Sequence, residues 1–376
     1  MAWMLSVTFF AGSRFVSASL ARIIRQSTLA LSFLSKVALQ DEFTRAAVRK
    51  RGPIVSVVLI GCAVLATAKT SATPIHLERV TEAMGTTFTI EMYGADRTSM
   101  DSAANDAFAE VHRLDLLLSN YIPNSELSIL NQRAAEAPVK ISSELFDLLK
   151  VCMDYSRQSE GTFDITVGPL MKVWGFYKDS GHLASPYRVR SAMQDVGWRN
   201  VSLDPATLSV RFRTRGVNLD LGGVGKGYAV DRMVQILKRD GIRSALVSAG
   251  GSSIYGIGAP PDDPNGWSIR IRDPRNEENT AGHVDLKDAS ISTSGGYEKF
   301  FWADGKLYSH IMDPRTGFPA EGMLSVSIVA PQTLDSEIWA KPYYILGRAW
   351  TEQHKAKQFR VFLCENKAGV NCSWLP

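Results

Sequence analysis

Along residues 86–93, Thr86-Thr-Phe-Thr-Ile-Glu-Met-Tyr93, apolar and polar side chains alternate with period two, the pattern of a strand that buries one face. Over 99–118 the spacing becomes helical, with Ala104, Ala107, Phe108, Val111, Leu114 and Leu118 on one side. A second helix is predicted from about Ser142, with Leu145, Leu148, Leu149 and Cys152 on one face, ending before Gly161. A third spans about 226–239 and stops at Gly241. Later strands near 245–248, 267–272, 289–293, 306–310 and 324–330 follow one another through turns without intervening helices. That order predicts an α+β fold, a single domain from Pro74 onward with a largely antiparallel or mixed sheet and flanking helices.

The 376 residues are 45% hydrophobic and 21% charged, which excludes a disordered, collagenous or polytopic membrane chain. The formal charge of +4 is unevenly placed. Eight Lys/Arg stand against Asp41 and Glu42 in the first 52 residues, so that segment carries +6 and the remainder −2. A slightly acidic body does not neutralise phosphate backbones, and no nucleic-acid partner is expected.

Arg49-Lys50-Arg51 precedes 16 uncharged residues, 53–68, too few for a spanning helix and right for the core of an export signal. Residues 48–72 are therefore expected to be a signal peptide, and 1–47 an upstream extension or misassigned start. Leu59-Ile-Gly-Cys62 resembles a bacterial lipobox. Lipidation of Cys62 would anchor the mature protein at the inner membrane, the alternative being a chance cysteine in a signal core. The expected location is the periplasm. Cys364 and Cys372 flank a turn-rich linker, so residues 348–376 are expected to hold a disulfide-closed hairpin, stabilised by about 2 to 3 kcal/mol. Cys152 reads as a buried thiol.

In Asn218-Leu-Asp-Leu-Gly-Gly-Val-Gly-Lys-Gly-Tyr-Ala-Val-Asp231 a strand runs into four glycines and then a helix. Two readings stand: backbone amides cradling a phosphate, or a tight strand-to-helix turn. Neither the Rossmann nor the Walker spacing is present. A second cluster, Ser248-Ala-Gly-Gly-Ser-Ser253, would meet the first at one sheet edge. Ser309-His-Ile-Met-Asp-Pro-Arg-Thr-Gly317 reads either as a base positioned beside a carboxylate or as an Asp-Pro turn with a solvated arginine.

Six stretches, taken in order, resemble the ApbE-type FAD:protein FMN transferases. They are Met84-Gly-Thr86, Ser119-Asn-Tyr121 with Asn124-Ser-Glu126, 162–170, 220–231, Ser294-Gly295 and 310–317, and the likeness covers about residues 75–347. The resemblance implies an enzyme that cleaves the FAD pyrophosphate and joins FMN by a phosphoester to a Thr or Ser of a periplasmic flavoprotein domain, releasing AMP. Carried over position by position, Met84, Tyr121, Thr162, Phe163, Asp164, Gly222, Tyr228 and Met312 contact FAD. By the same resemblance the carbonyl of Gly225 matches a backbone ligand of Mg²⁺, and His310 matches the base for the acceptor hydroxyl.

One departure bears on the chemistry. Where the family has Asp and Thr as further Mg²⁺ ligands, this chain has Glu337 and Lys341 in Ser336-Glu-Ile-Trp-Ala-Lys341. An ammonium has no lone pair to give a cation. Three outcomes are open: Lys341 turns to solvent beside a metal held by Glu337 and Gly225, it places its own charge on the pyrophosphate, or the site is inactive. Asp335, two residues before Glu337, is a candidate to compensate as a further carboxylate. The competing functions are a periplasmic flavin-binding protein without transfer activity and an FAD pyrophosphatase.

Overall fold

The computed structural model describes residues 73–178, 181–367 and 369–376. The proposed leader, the apolar run 53–68 and Cys62 lie outside the described residues. At the centre is an eight-stranded sheet of β1 (Ile75–Ala83), β2 (Thr86–Gly94), β3 (Ala245–Ala249), β4 (Ser253–Ile257), β5 (Ala289–Gly295), β6 (Met323–Ala330), β7 (Arg360–Asn366) and β8 (Val370–Trp374), side by side in that order. Every neighbouring pair is antiparallel. The described residues also form seven α-helices: α1 (Arg97–Leu118), α2 (Glu126–Arg133), α3 (Ser143–Gln158), α4 (Gly168–Val173), α5 (Pro186–Met193), α6 (Gly225–Arg239) and α7 (Thr333–His354). The α+β class is the expected one.

Period-two alternation in β2 puts Phe88, Ile90 and Met92 fully inside. They join Val111 and Leu114 of α1, Leu145 and Leu149 of α3 and Met233 of α6 in the main core. Asp96 caps α1 through the Ser99 amide at 3.0 Å, and the Ser142 hydroxyl caps α3 through the Leu145 amide at 3.3 Å. A second core lies under α7, where Tyr343 and Tyr344 meet Val326, Ile328, Val361 and Leu363. A third holds Leu170, Trp174, Phe176, Val189 and Met312, joining α4 and α5 to the short pair Met312–Asp313 and Phe318–Pro319.

Residues 348–376, set apart in the sequence as an extension, run through the last turns of α7 into β7 and β8, the final two strands of the sheet. Cys364 and Cys372 face each other across that hairpin and are disulfide-bonded. Cys152 is buried in α3, and burial pushes its thiol up.

The segment read as a strand running into the glycines forms no ladder. The Asn131 side chain of α2 takes the place of a partner strand: its Oδ1 accepts from the Leu219 amide at 2.8 Å, and its Nδ2 donates to the Leu219 carbonyl at 2.9 Å. A single amide group satisfies both backbone groups of Leu219, which holds the chain extended without a sheet.

Candidate active site

The glycine-rich loop is built from its own polar groups. Asp220 Oδ1 accepts from the Gly222 amide at 2.8 Å, and the Val224 and Gly225 amides donate back to the Leu221 carbonyl at 2.9 and 2.8 Å. Burial raises the Asp220 carboxyl above its ordinary range, against the pull of the Gly222 amide and Lys172. Gly225 opens α6, so its carbonyl is committed along the helix axis.

The start of α6 is locked to the start of α7 by an exchange of carboxylates. Glu337 of α7 accepts from the Gly227 amide in the first turn of α6. Asp231 of α6 accepts from the Thr333 and Leu334 amides in the first turn of α7, at 2.7 and 2.8 Å. Each helix thus satisfies orphan amides of the other, where the partial positive charge of a helix start favours an anion. Gly227 lets them approach: a Cβ there would lie 2.7 Å from both Glu337 Oε2 and the Thr333 carbonyl. Gly227→Ala is expected to cost about 1–3 kcal/mol by overpacking. The check is the urea midpoint, and an unchanged midpoint would show that the contact carries no constraint.

This lock fixes Glu337 and, one turn on, Lys341. The Lys341 ammonium donates to the carbonyls of Gly223 and Glu337, at 2.9 and 2.7 Å. Lys226 Nζ stands 3.6 Å from Glu337 Oε1. Burial lowers Lys341 to about 8, with Glu337 opposing and Lys226 adding to the fall, so the ammonium persists at neutral pH. Lys341 therefore does not turn to solvent. Asp335 does not stand in for a missing ligand either. Two residues from Glu337, it lies on another side of α7 and accepts from the Tyr155 hydroxyl.

His310 is oriented by a carbonyl rather than a carboxylate. Its Nδ1 lies 3.1 Å from the Lys299 carbonyl, which only accepts, so Nδ1 carries the proton and Nε2 the lone pair. Burial lowers it to about 4, and the charges of Lys226, Lys299 and Lys341 add to the fall. The ring is neutral at physiological pH. The expected neighbour Asp313 is held elsewhere, by Arg315 Nε at 3.0 Å and Nη2 at 2.8 Å, so Arg315 is paired rather than simply solvated. Tyr344, three residues past Lys341 on the same face of α7, hydrogen-bonds Ser309 next to His310.

The positions expected to contact FAD fall into two groups. Met84 and Gly85 form the two-residue turn between β1 and β2 with φ of 51° and 69°. A Cβ on Gly225 would meet Met84 Sδ at 3.8 Å. The Gly250–Gly251 turn packs on Thr86, so both glycine clusters do reach one end of the sheet. Tyr121 is 64% exposed and stacked on Tyr177 at 5.0 Å. Gly222 is exposed at the loop tip.

The rest are engaged inside the protein. Thr162 donates to the Ser159 carbonyl at 2.6 Å and Phe163 is core. Asp164 accepts from the Thr166 amide at 2.9 Å and the Trp198 amide at 2.6 Å, and burial raises its carboxyl. Met312 is buried between α4 and α5. The Tyr228 hydroxyl donates to Glu144 at 2.9 Å. Lys226, Lys299, Asp231 and Tyr177 were not singled out from sequence. For Lys226 and Asp231 the signal existed, inside the glycine motif itself.

The donors present do not fit the Mg²⁺ that the resemblance implies. Among the described residues no three His, Cys, Asp or Glu side chains gather as a metal site. Both Glu337 oxygens face donors, Gly227 and Lys226, and Lys341 takes the Gly223 carbonyl. Mg²⁺ needs oxygen ligands in an octahedron, and this arrangement sets ammonium groups among them.

Residues 84–362 match the model of the ApbE family. The chain is 32% identical over 279 residues to the FAD:protein FMN transferase of Treponema pallidum, an alignment covering 70% of this chain and 77% of that protein. It is 31% identical over 297 residues to the FAD:protein FMN transferase of Salmonella typhimurium, covering 77% and 84%. The solved ApbE protein of Thermotoga maritima superposes with a TM-score of 0.73 at 27% identity, covering 80% of this chain and 96% of that one. For the flavinyl transferase ApbE of Pseudomonas stutzeri the TM-score is 0.71 at 26% identity, covering 81% and 96%.

Proposed function

We propose that this chain, which belongs to the ApbE family, works as an FAD:protein FMN transferase acting on a flavoprotein acceptor. The observation that carries the reading is His310, a neutral base with its free lone pair on Nε2, within reach of the charges of Lys226 and Lys341 at the glycine loop. A hydroxyl is a weak nucleophile until a base takes its proton, and a pyrophosphate reacts only where its gathering charge is met.

In the proposed reaction the Thr or Ser oxygen of the acceptor attacks the FMN-side phosphorus. Its proton passes to His310 Nε2, the bond from that phosphorus to the bridging oxygen breaks, and AMP leaves with the bridging oxygen. A new oxygen–phosphorus bond joins FMN to the acceptor, with no change in oxidation state. The Tyr121–Tyr177 stack offers a surface for one ring system of FAD.

The test is to incubate the protein with FAD and a candidate acceptor domain. Protein-bound flavin with AMP in equal amounts is expected. Free FMN with AMP would make the protein an FAD pyrophosphatase, and bound FAD without AMP a flavin-binding protein.

The periplasmic setting belongs to the same proposal. It rests on the uncharged run 53–68 behind Arg49-Lys50-Arg51, with membrane anchoring through Cys62 as its lipoprotein form. Mass spectrometry of the mature N-terminus is expected to find at least residues 1–61 removed. A full-length chain in the cytoplasm would end the idea.

A further inference from the structure

We propose that Lys341, seconded by Lys226, supplies the positive charge that holds the FAD pyrophosphate, so that transfer proceeds without a divalent cation. The inference rests on the transferase reading and adds to it the source of charge.

Lys341 is held in place. It sits one helical turn after Glu337, whose carboxylate is tied to the Gly227 amide, and Glu337 lies on a helix whose start is tied to Asp231. The ammonium has three protons. Two are committed, to the Gly223 and Glu337 carbonyls at 2.9 and 2.7 Å, which leaves one for a ligand oxygen. Those bonds tie the charge to the turn between Gly222 and Gly225. A Cβ on Gly223 would meet Lys341 Cε at 2.9 Å, so the loop and the lysine stem are in contact.

Lys226, in the first turn of α6, brings a second ammonium to Glu337 Oε1 at 3.6 Å. Two lysines against one carboxylate leave a net positive charge, where a metal site would leave carboxylates in excess. Through Tyr344 and Ser309, the same face of α7 is tied to the turn that carries His310. Charge and base are thus placed by one helix. A fixed ammonium stabilises charge developing on phosphate oxygens and needs no reorganisation when the reaction begins.

The experiment uses the full mature chain, freed of metal and kept in EDTA, with FAD and the acceptor domain, reading bound flavin and AMP. Transfer in EDTA is expected at no less than half the rate with Mg²⁺. Lys341→Gln is expected to lose about 10²- to 10³-fold in the rate of transfer in EDTA. Lys341→Arg, which keeps the charge, is expected to retain most of it. Lys341→Thr is expected to be inactive in EDTA and partly restored by Mg²⁺.

A second readout does not depend on turnover. In EDTA, Lys341→Gln and Lys226→Gln are each expected to weaken FAD binding about tenfold or more while leaving riboflavin, which has no phosphate, unchanged. Transfer that fails in EDTA and returns only with Mg²⁺ overturns the proposal. So does equal FAD affinity in wild type and both Gln variants. If no condition gives bound flavin or AMP, the transferase reading falls alone, and the two titrations still decide the role of the lysines.

Discussion

His310→Gln is expected to reduce FMN transfer by about 10²- to 10⁴-fold while FAD binds as in wild type. Glutamine keeps a donor near the Lys299 carbonyl but has no group to take the acceptor proton, so the loss falls on the chemical step and not on the donor's affinity. Calorimetric titration with FAD, alongside single-turnover transfer, separates the two. A variant that transfers at the wild-type rate would remove His310 from the reaction.

The pH profile carries the sign of the same argument. The base works in its neutral form, and burial lowers His310 from the ordinary 6.5 to about 4. On the acid side the rate is therefore expected to stay level below neutrality and to fall as pH drops through about 4. A fall centred near 6.5 would mean that the ring is solvated in the working enzyme. Linkage gives a second reading: the unfolded chain takes up this proton near 6.5 and the folded one near 4, so between those values the group subtracts stability as pH falls.

The elements with strong periodicity were legible in the sequence, and so was the site's main motif. In α1, α3 and β2 the apolar positions recur at the right period and face one core. Strand β1 was not legible, because Arg79 and Thr81 stand on the face that carries Leu77 and Ala83, and Arg79 is used to pair with Asp101 of α1. Helix α7 holds Pro342 and is itself kinked at Gly347, whose φ of 76° is not helical, so its 22 residues do not read as one helix. The apparent strand before the glycines depends on Asn131, 88 residues away from Leu219 in sequence, and no local pattern reports such a partner. The family likeness located Glu337 and Lys341, but the direction of the lysine was set by packing. Only the approach of α6 to α7 turns it onto the Gly223 carbonyl.

That approach is held in part by one half-buried carboxylate, Asp231. Asp231 takes both the Thr333 and Leu334 amides, and without it two half-buried donors at the start of α7 would lose their acceptor. Losing an acceptor at a helix start costs about 0.5–2 kcal/mol, so Asp231→Ala, which removes the acceptor of two half-buried amides, is expected to lose about 1 to 3 kcal/mol and to lower the melting temperature by several degrees. Asp231→Asn keeps one acceptor and should lose about half as much. Activity is expected to fall further than stability in Asp231→Ala, because the turns that follow the cap carry Glu337, Lys341 and Tyr344, and a shift of α7 moves the charge and the base together. Melting and transfer rates of the three proteins decide it: if Asp231→Ala melts and transfers like wild type, the exchange of carboxylates does not hold the site. If it is destabilised yet transfers normally below its melting point, α7 keeps its place by packing alone.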